Sequence, residues 1–362
     1  MISDNKTEPI LEKVLELKRI SAVEAITLYE NMDAMSLGQV AHKIRSVKCD
    51  PGVASYIIDR NINYTNVCVT QCSFCAFYRK TGDPEGYVLS DEVIREKISE
   101  TKELNGSGAL IQGGLNPRLR LDFYIHLLKV IKDCEDIHIH GFSPPEIVYI
   151  SQLEKMSLRD VIRALMDAGL DSIPGGGAEI LTESVRNEIS PKKCGVDQWL
   201  SVMETAHELG LKTTATMMFG HVESLEDRLE HLCRIRELQD KTGGFTAFIP
   251  WTFQRGNTVL NSEPVGGYEY LKMLSLSRIF LDNIVNIQGS WVTQGEGIGQ
   301  LSLHFGANDL GSIMIEENVV KSAGTVYKMS EERMRQLIED AGYKPFQRNT
   351  VYSNMTDLRK NA

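Results

Sequence analysis

From about residue 60 the chain repeats one pattern: a short β-branched run, a glycine-rich or polar turn, then a helical stretch of roughly 12 to 18 residues. The runs fall near 62–68, 108–113, 136–142, 171–174, 212–219, 245–251, 286–292 and 301–305. Several helical stretches close on glycine just before the next run, at Asn105-Gly106, Gly169, Gly210 and Gly243-Gly244, as expected where a left-handed residue ends a helix. Strand, helix, glycine, strand is a βαβ unit. Its recurrence predicts an α/β chain folded as a parallel (β/α)8 barrel of the TIM type, although an open doubly wound sheet gives the same string. The first fifty residues read as helices, with capping boxes at Ser21-Ala22-Val23-Glu24 and Ser36-Leu37-Gly38-Gln39. The expected organisation is an N-terminal helical extension over 1–55, a barrel over 56–320, and a C-terminal helix and tail over 321–362. Ser330 to Gly342 reads as one capped helix, and the stretch after Pro345 has no assignment.

Composition narrows the class of partner. At 42% hydrophobic and 24% charged, the 362 residues can build a sizeable core, which excludes disorder and low-complexity architectures. A net charge of −10 with dispersed acids leaves no basic footprint for nucleic acid or an anionic membrane, so a small molecule is the default partner. The start of the chain lacks a basic and apolar leader, and no long apolar run occurs, so a soluble cytoplasmic protein is expected. Seven cysteines, an odd number with three of them clustered, argue for a reducing compartment.

Those three are Cys68, Cys72 and Cys75, at the end of the first expected strand. Chance would give this spacing roughly 0.003 times in a chain of this cysteine content, so it points to metal or redox chemistry. A structural zinc site wants four ligands, commonly from paired knuckles, and no second knuckle exists. A 4Fe-4S cluster held by three thiolates keeps one iron open for a substrate. A zinc-binding interaction protein is the rival reading.

Cys-x-x-x-Cys-x-aromatic-Cys after the first strand of a barrel resembles the radical S-adenosylmethionine superfamily. The resemblance implies one 4Fe-4S cluster on Cys68, Cys72 and Cys75, with Phe74 beside it, and S-adenosylmethionine on the open iron. It also implies a 5′-deoxyadenosyl radical that removes a hydrogen atom from substrate, and a one-electron reductant of flavodoxin or ferredoxin type. Gln112, Gly113 and Gly114 resemble the backbone segment that contacts the methionine amino group, glycine admitting close approach; a plain βα turn is the alternative. Leu115 departs from the family, which often carries an acid there. Pro174 to Glu179 lacks a phosphate-loop spacing. By resemblance Glu179 faces the ribose hydroxyls of the cofactor and Arg186 its carboxylate; a helix cap and a solvated face are the alternatives.

Longer stretches, among them Asn63 to Cys68, Leu165 to Gly177, Thr214 to Gly220 and Gly306 to Gly311, resemble the group containing futalosine-pathway enzymes and deazaflavin-cofactor synthases. His140 to Glu146, Phe248 to Gln254 and Ser290 to Gly295 are most similar to the branch that cyclises dehypoxanthine futalosine on a route to menaquinone. The resemblance then implies radical attack from ribose C4′ on the tethered benzoate ring, and loss of an electron and a proton. Glu146, His221 and Asp309, each after an expected strand end, are the candidate proton acceptors. His140, Trp251, Gln254, Trp291 and Thr293 are the expected substrate contacts, the tryptophans as an aromatic wall. Asp136, His138 and His140 share one strand face, where a satisfied core histidine is the bland alternative. The sibling aminofutalosine synthase reaction, which leaves the adenosyl group in the product, is the closest competing activity.

Overall fold

The structure, a computed structural model, describes residues 6–324 and 328–355. Its strands are β1 (Val53–Ile57), β2 (Asp59–Asn63), β3 (Gly108–Gln112), β4 (His138–Gly141), β5 (Ser172–Ile173), β6 (Lys212–Phe219), β7 (Phe245–Thr252), β8 (Asn286–Ile287), β9 (Asp309–Ser312) and β10 (Lys344–Gln347). Strands β2 to β8 form one parallel sheet in chain order, and β10-β1-β9 form a second. The two sheets are stitched into a ring. The Ile287 carbonyl accepts from Asn308 N (3.0 Å) and the Asp309 carbonyl from Gly289 N (2.8 Å), joining β8 to β9. Strand β9 pairs with β1, which continues through Ile58 into β2.

Helices cover the outside because outward strand positions are aliphatic: Ile62, Ile111, Ile139 and Ile173 are fully buried. Helix Leu121–Cys134, for example, buries Tyr124, Leu127, Leu128 and Ile131. Each such side chain contributes about 1.5–3 kcal/mol. The expected glycine-region stops hold, with Asn105, Gly169, Gly210 and Gly243 all at positive φ. The capping box at Ser21 forms, but at the next helix Asp33, not Ser36, is the cap; Ser36 N–H donates to its carboxylate at 2.8 Å.

The expected barrel is present, but three strands sit elsewhere than their sequence suggests. The first runs through Val53–Asn63, and 64–68 leave the sheet; only 286 and 287 of the run at 286–292 are extended. The alternating run at 301–305 ends helix Glu296–Ser302, and the closing strand is Asp309–Ser312. Strand β9 reads as a loop because it carries an inward acid. Asp309, fully buried, accepts the Arg348 fork (Nε–Oδ2 2.6 Å, Nη2–Oδ1 3.1 Å), the Ser55 hydroxyl (2.5 Å) and Gly311 N–H (2.8 Å).

Arg348 belongs to the tail, which the sequence left unassigned. After helix Glu331–Asp340, β10 adds to β1, and residues 348–352 enter the lower end of the barrel. Room exists because the lowest inward positions are small. A Cβ on Gly108 would lie 2.7 Å from Thr350 Oγ1, and Tyr352 packs on Ala247 and Ile249 with the Arg348 guanidinium 4.0 Å above its ring. Residues 356–362, the end of the expected tail, lie outside the described residues.

Removing one partner of a buried ion pair strands the other charge, at a cost of about 3–5 kcal/mol, whereas replacing both by apolar groups is often near neutral. Asp309→Ala is therefore expected to lower the guanidinium unfolding midpoint by that equivalent, and Asp309→Leu with Arg348→Met to recover most of it.

Candidate active site

One cavity of ≈ 410 Å3 runs from the cysteine loop at the C-terminal strand ends down to the tail at the floor. Its volume suits a small molecule. The loop is shaped by backbone bonds: Cys68 N–H to the Arg79 carbonyl (2.9 Å), Val69 N–H to Leu115 (3.1 Å) and Cys75 N–H to Cys72 (3.2 Å), with Gln71 at φ +51 turning the chain. All three cysteines line the cavity. Cys68 Sγ accepts Leu115 N–H at 3.3 Å and lies 2.9 Å from the Thr70 hydroxyl, which is 3.5 Å from Cys72 Sγ. Burial pushes the Cys72 and Cys75 thiols up, and the Lys193 ammonium pulls both back.

This donor set fits a 4Fe-4S cluster. Three thiols of one loop face one space, and among the described residues no three His, Cys, Asp or Glu side chains are gathered around a single-ion position. A mononuclear zinc site needs its sulfurs within bonding reach of one ion, whereas cluster thiolates each take a separate iron.

Glu179 lines the same cavity, buried, at φ +45, a left-handed conformation that a non-glycine residue holds at a cost of about 1–3 kcal/mol. Its Oε1 accepts from Lys193 Nζ at 2.9 Å. Burial alone would lower the Lys193 pKa, but attraction to Glu179 and Cys72 outweighs it and raises it. Lys193 also stands 5.0 Å over the Phe74 ring. Sequence reasoning missed Lys193, because a lysine in a polar loop carries no signal. It named Arg186 instead, and the structure places that guanidinium outside the cavity. Arg186 is buried and donates to the carbonyls of Gly177 (3.0 Å), Ala178 (2.8 Å) and Cys194 (3.1 Å from Nε). It holds the glycine turn that presents Glu179.

Gln112, Gly113 and Gly114 line the cavity, but their close approach is first to their own chain. A Cβ on Gly113 would lie 2.5 Å from the Tyr64 ring, and one on Gly114 2.3 Å from the Val67 carbonyl. Gly113 N–H donates to Glu146 (3.0 Å) and Gly114 N–H to the Thr65 carbonyl (2.9 Å).

Each of the three expected proton acceptors is already engaged by partners within the chain. Glu146 sits at the cavity wall, yet its carboxylate takes four donors: the Tyr64 hydroxyl (2.7 Å), Gly113 N–H, and Ser143 N–H (2.7 Å) and hydroxyl (2.5 Å). Burial pushes its pKa up and those bonds oppose the shift. It caps helix Pro144–Glu154 and fixes the glycine segment. His221 is off the cavity, with Nδ1 accepting Val222 N–H (2.8 Å) and Nε2 at 3.1 Å from the Met218 carbonyl. Asp309 is the partner of Arg348.

Of the expected substrate contacts, His140, Trp251, Trp291 and Thr293 line the cavity. Trp291 Nε1 is fixed on the Ser312 carbonyl at 2.9 Å, and Thr293 Oγ1 on Ser290 Oγ at 2.9 Å. Gln254 does not; its amide folds back onto the Thr252 carbonyl (3.1 Å) and hydroxyl (3.2 Å). Inward Asp59, Asn61, Asn63, Thr214, Thr216 and Gln288 were missed, though a polar residue at every second position of β2 is the readable sign of a wet face.

Comparisons with known proteins fit this site. Residues 62–234 match the Radical SAM superfamily and residues 242–361 the CofH/MqnC C-terminal region. The chain is 47% identical over 345 residues to cyclic dehypoxanthine futalosine synthase of Halalkalibacterium halodurans, covering 95% of this chain and 93% of that one. It is 43% identical to the enzyme of that name from Streptomyces coelicolor, over 96% of this chain and 88% of that one. It is 38% identical to a 5-amino-6-(D-ribitylamino)uracil–L-tyrosine 4-hydroxyphenyl transferase of Methanopyrus kandleri, over 90% of each. Among solved structures, methylornithine synthase (TM-score 0.74, 98% of this chain, 100% of that one) and the hydrogenase maturase HydG (TM-score 0.75, 98% and 80%) share the fold at 16% identity. The chain belongs to the radical S-adenosylmethionine superfamily, an enzyme family that works with one 4Fe-4S cluster and S-adenosylmethionine. Among the described residues no helix is long and apolar enough to cross a membrane.

Changing any one of Cys68, Cys72 and Cys75 to Ala is expected to abolish cluster iron and sulfide after anaerobic reconstitution. The same change at Cys49, Cys134, Cys194 or Cys233 is expected to leave iron content at the wild-type level.

Proposed function

We propose that the chain cyclises dehypoxanthine futalosine, forming a carbon–carbon bond between ribose C4′ and the benzoate ring, in menaquinone biosynthesis. The observation that carries the reading is one continuous cavity joining the cysteine loop to a barrel interior that sets inward polar side chains such as Asn61 and His140 among apolar walls including Trp251 and Trp291. The near-full-length relatives of that name support it. Cys68, Cys72 and Cys75 would hold the cluster, which together with S-adenosylmethionine supplies a 5′-deoxyadenosyl radical.

The residues around that group bind and orient. Glu179 accepts from the cofactor ribose hydroxyls while Lys193 balances its charge, and Phe74 shields the cysteine loop. Because Gly113 and Gly114 spend their N–H groups on Glu146 and Thr65, their carbonyls are the part left to receive the methionine amino group. Trp251 and Trp291 flank the benzoate ring, and Thr293 and His140 offer hydrogen bonds within the chamber. Holding ring and ribose in one geometry converts the bond-forming step into a tethered reaction with a large effective molarity. A flavodoxin- or ferredoxin-type protein is the proposed electron donor.

Two outcomes test this. Reduced enzyme given substrate deuterated at C4′ is expected to release deuterated 5′-deoxyadenosine, with a product two hydrogens lighter than substrate by mass spectrometry; an adenosyl group joined to the product would instead mark the aminofutalosine synthase reaction. Glu179→Gln removes a charged hydrogen bond worth about 1.5–3 kcal/mol and is expected to weaken S-adenosylmethionine binding roughly ten- to a hundred-fold by calorimetry.

A further inference from the structure

Rearomatising the benzoate ring requires a proton acceptor, and Glu146, His221 and Asp309 are each committed elsewhere. Of the eight histidines only His140 lines the chamber. It lies on β4, inward, at the level of Asn61 and Leu110 and beside Ser172. Its Nδ1 is 2.7 Å from the Ser172 hydroxyl, which is also 2.7 Å from Nε2 of His138, one layer lower. His140 Nε2 has no hydrogen-bond partner among the described residues. One serine hydroxyl thus bridges two imidazoles inside a barrel, and the upper imidazole keeps a free nitrogen on the chamber.

We propose that His140 accepts the ring proton in the last step, with Ser172 and His138 as the relay that fixes its tautomer and carries charge away from the chamber. The inference rests on the cyclisation reading above. In balance, substrate loses one hydrogen atom from C4′ to the deoxyadenosyl radical. After the bond forms, the ring C–H proton goes to His140 Nε2 and one electron to an acceptor of the oxidised iron–sulfur class. The Nδ1 proton passes toward the Ser172 oxygen as the Ser172 proton moves to His138 Nε2.

The surroundings keep His140 a neutral acceptor. Burial first, then the neighbouring His138 and the Arg348 guanidinium, hold its pKa down at about 3. Leu110 on β3 and Ser172 on β5 carry no charge, Arg348 is paired with Asp309, and Asp59 on β2 is a half-buried carboxyl whose pKa is pushed up by loss of solvent. His138 is likewise lowered by burial, with Asp171 raising it and Lys132 lowering it. Since the charged form is disfavoured, His140 is expected to be unprotonated from pH 5 to 8. A cyclised ring that is losing an electron is acidic enough for so weak a base.

The test uses reconstituted holoenzyme and substrate deuterated at the ring carbon that gains the bond. His140→Gln is expected to slow product formation about a hundred-fold, to raise the ring-deuterium isotope effect above that of wild type, and still to yield 5′-deoxyadenosine carrying label from C4′. Ser172→Ala, which keeps both imidazoles, is expected to raise the same isotope effect with a smaller loss of rate. Nitrogen-15 resonances of the His140 ring are expected to report a neutral imidazole from pH 5 to 8, with Ser172→Ala shifting the tautomer ratio. Unchanged isotope effects in both variants, or a raised effect in Asp59→Asn in their place, overturn the proposal. So does loss of C4′ label transfer together with product in His140→Gln, because His140 would then act in binding. A wild-type enzyme that does not turn over dehypoxanthine futalosine overturns the substrate assignment, and this inference with it.

Discussion

The barrel depends on one strand that serves two sheets. Buried peptide groups must all find partners, and Val53–Asn63 satisfies this by pairing its first half with β9 and β10 and its second half with β3. The ring is continuous only because the chain passes through Ile58 without leaving the wall, the Ile57 carbonyl accepting from Ile313 and the Ile58 carbonyl from Ser107. The cysteine loop begins where this strand ends, so the position of the thiols is set by a strand locked on both sides. A loop with few regular hydrogen bonds of its own gains its geometry from the wall beneath it.

A second constraint is polarity. The interior of a parallel barrel is ordinarily a packed core of branched aliphatic layers, but here Asn61, Asn63, Gln112, His140, Thr214 and Gln288 face inward. Those side chains forgo the burial energy that aliphatic layers would give and leave a chamber instead. Stability is carried by the outer seam, where strand isoleucines meet the helices, and by a few fully paired buried charges such as Arg348 with Asp309. Apart from that pair, which lies inside the barrel, chemistry and stability occupy opposite faces of the same strands.

This division explains what could be read in the sequence. The outer face obeys period and capping rules, so helix ends at Asn105, Gly169, Gly210 and Gly243 and strands such as β6 and β7 were legible, as was the cysteine triplet, whose spacing has no packing explanation. The inner face misleads. Asp59, Asn61 and Asn63 make β2 look like a loop, and Asp309 hides β9, because a buried acid is stable only beside a guanidinium that lies 39 residues later. Arg186 and Lys193 were illegible for a similar reason. Arg186 is buried and Lys193 half-buried, and only three-dimensional placement shows that one spends its donors on backbone carbonyls while the other meets Glu179. Glu146 was found as a functional position through its place after a strand, yet its four donors make it a brace for the glycine segment.

The tail has a temporal consequence. Gly108 and Ala247 leave the lower opening to be filled by residues 348–352, and β10 covers the outer edge of β1. Residues 348–352 follow every barrel strand in the chain, so synthesis from the N-terminus makes the wall before its filler. Until that segment arrives, Asp309 lacks its guanidinium and the lower opening is unfilled, so the barrel is sealed by a segment made after its own strands.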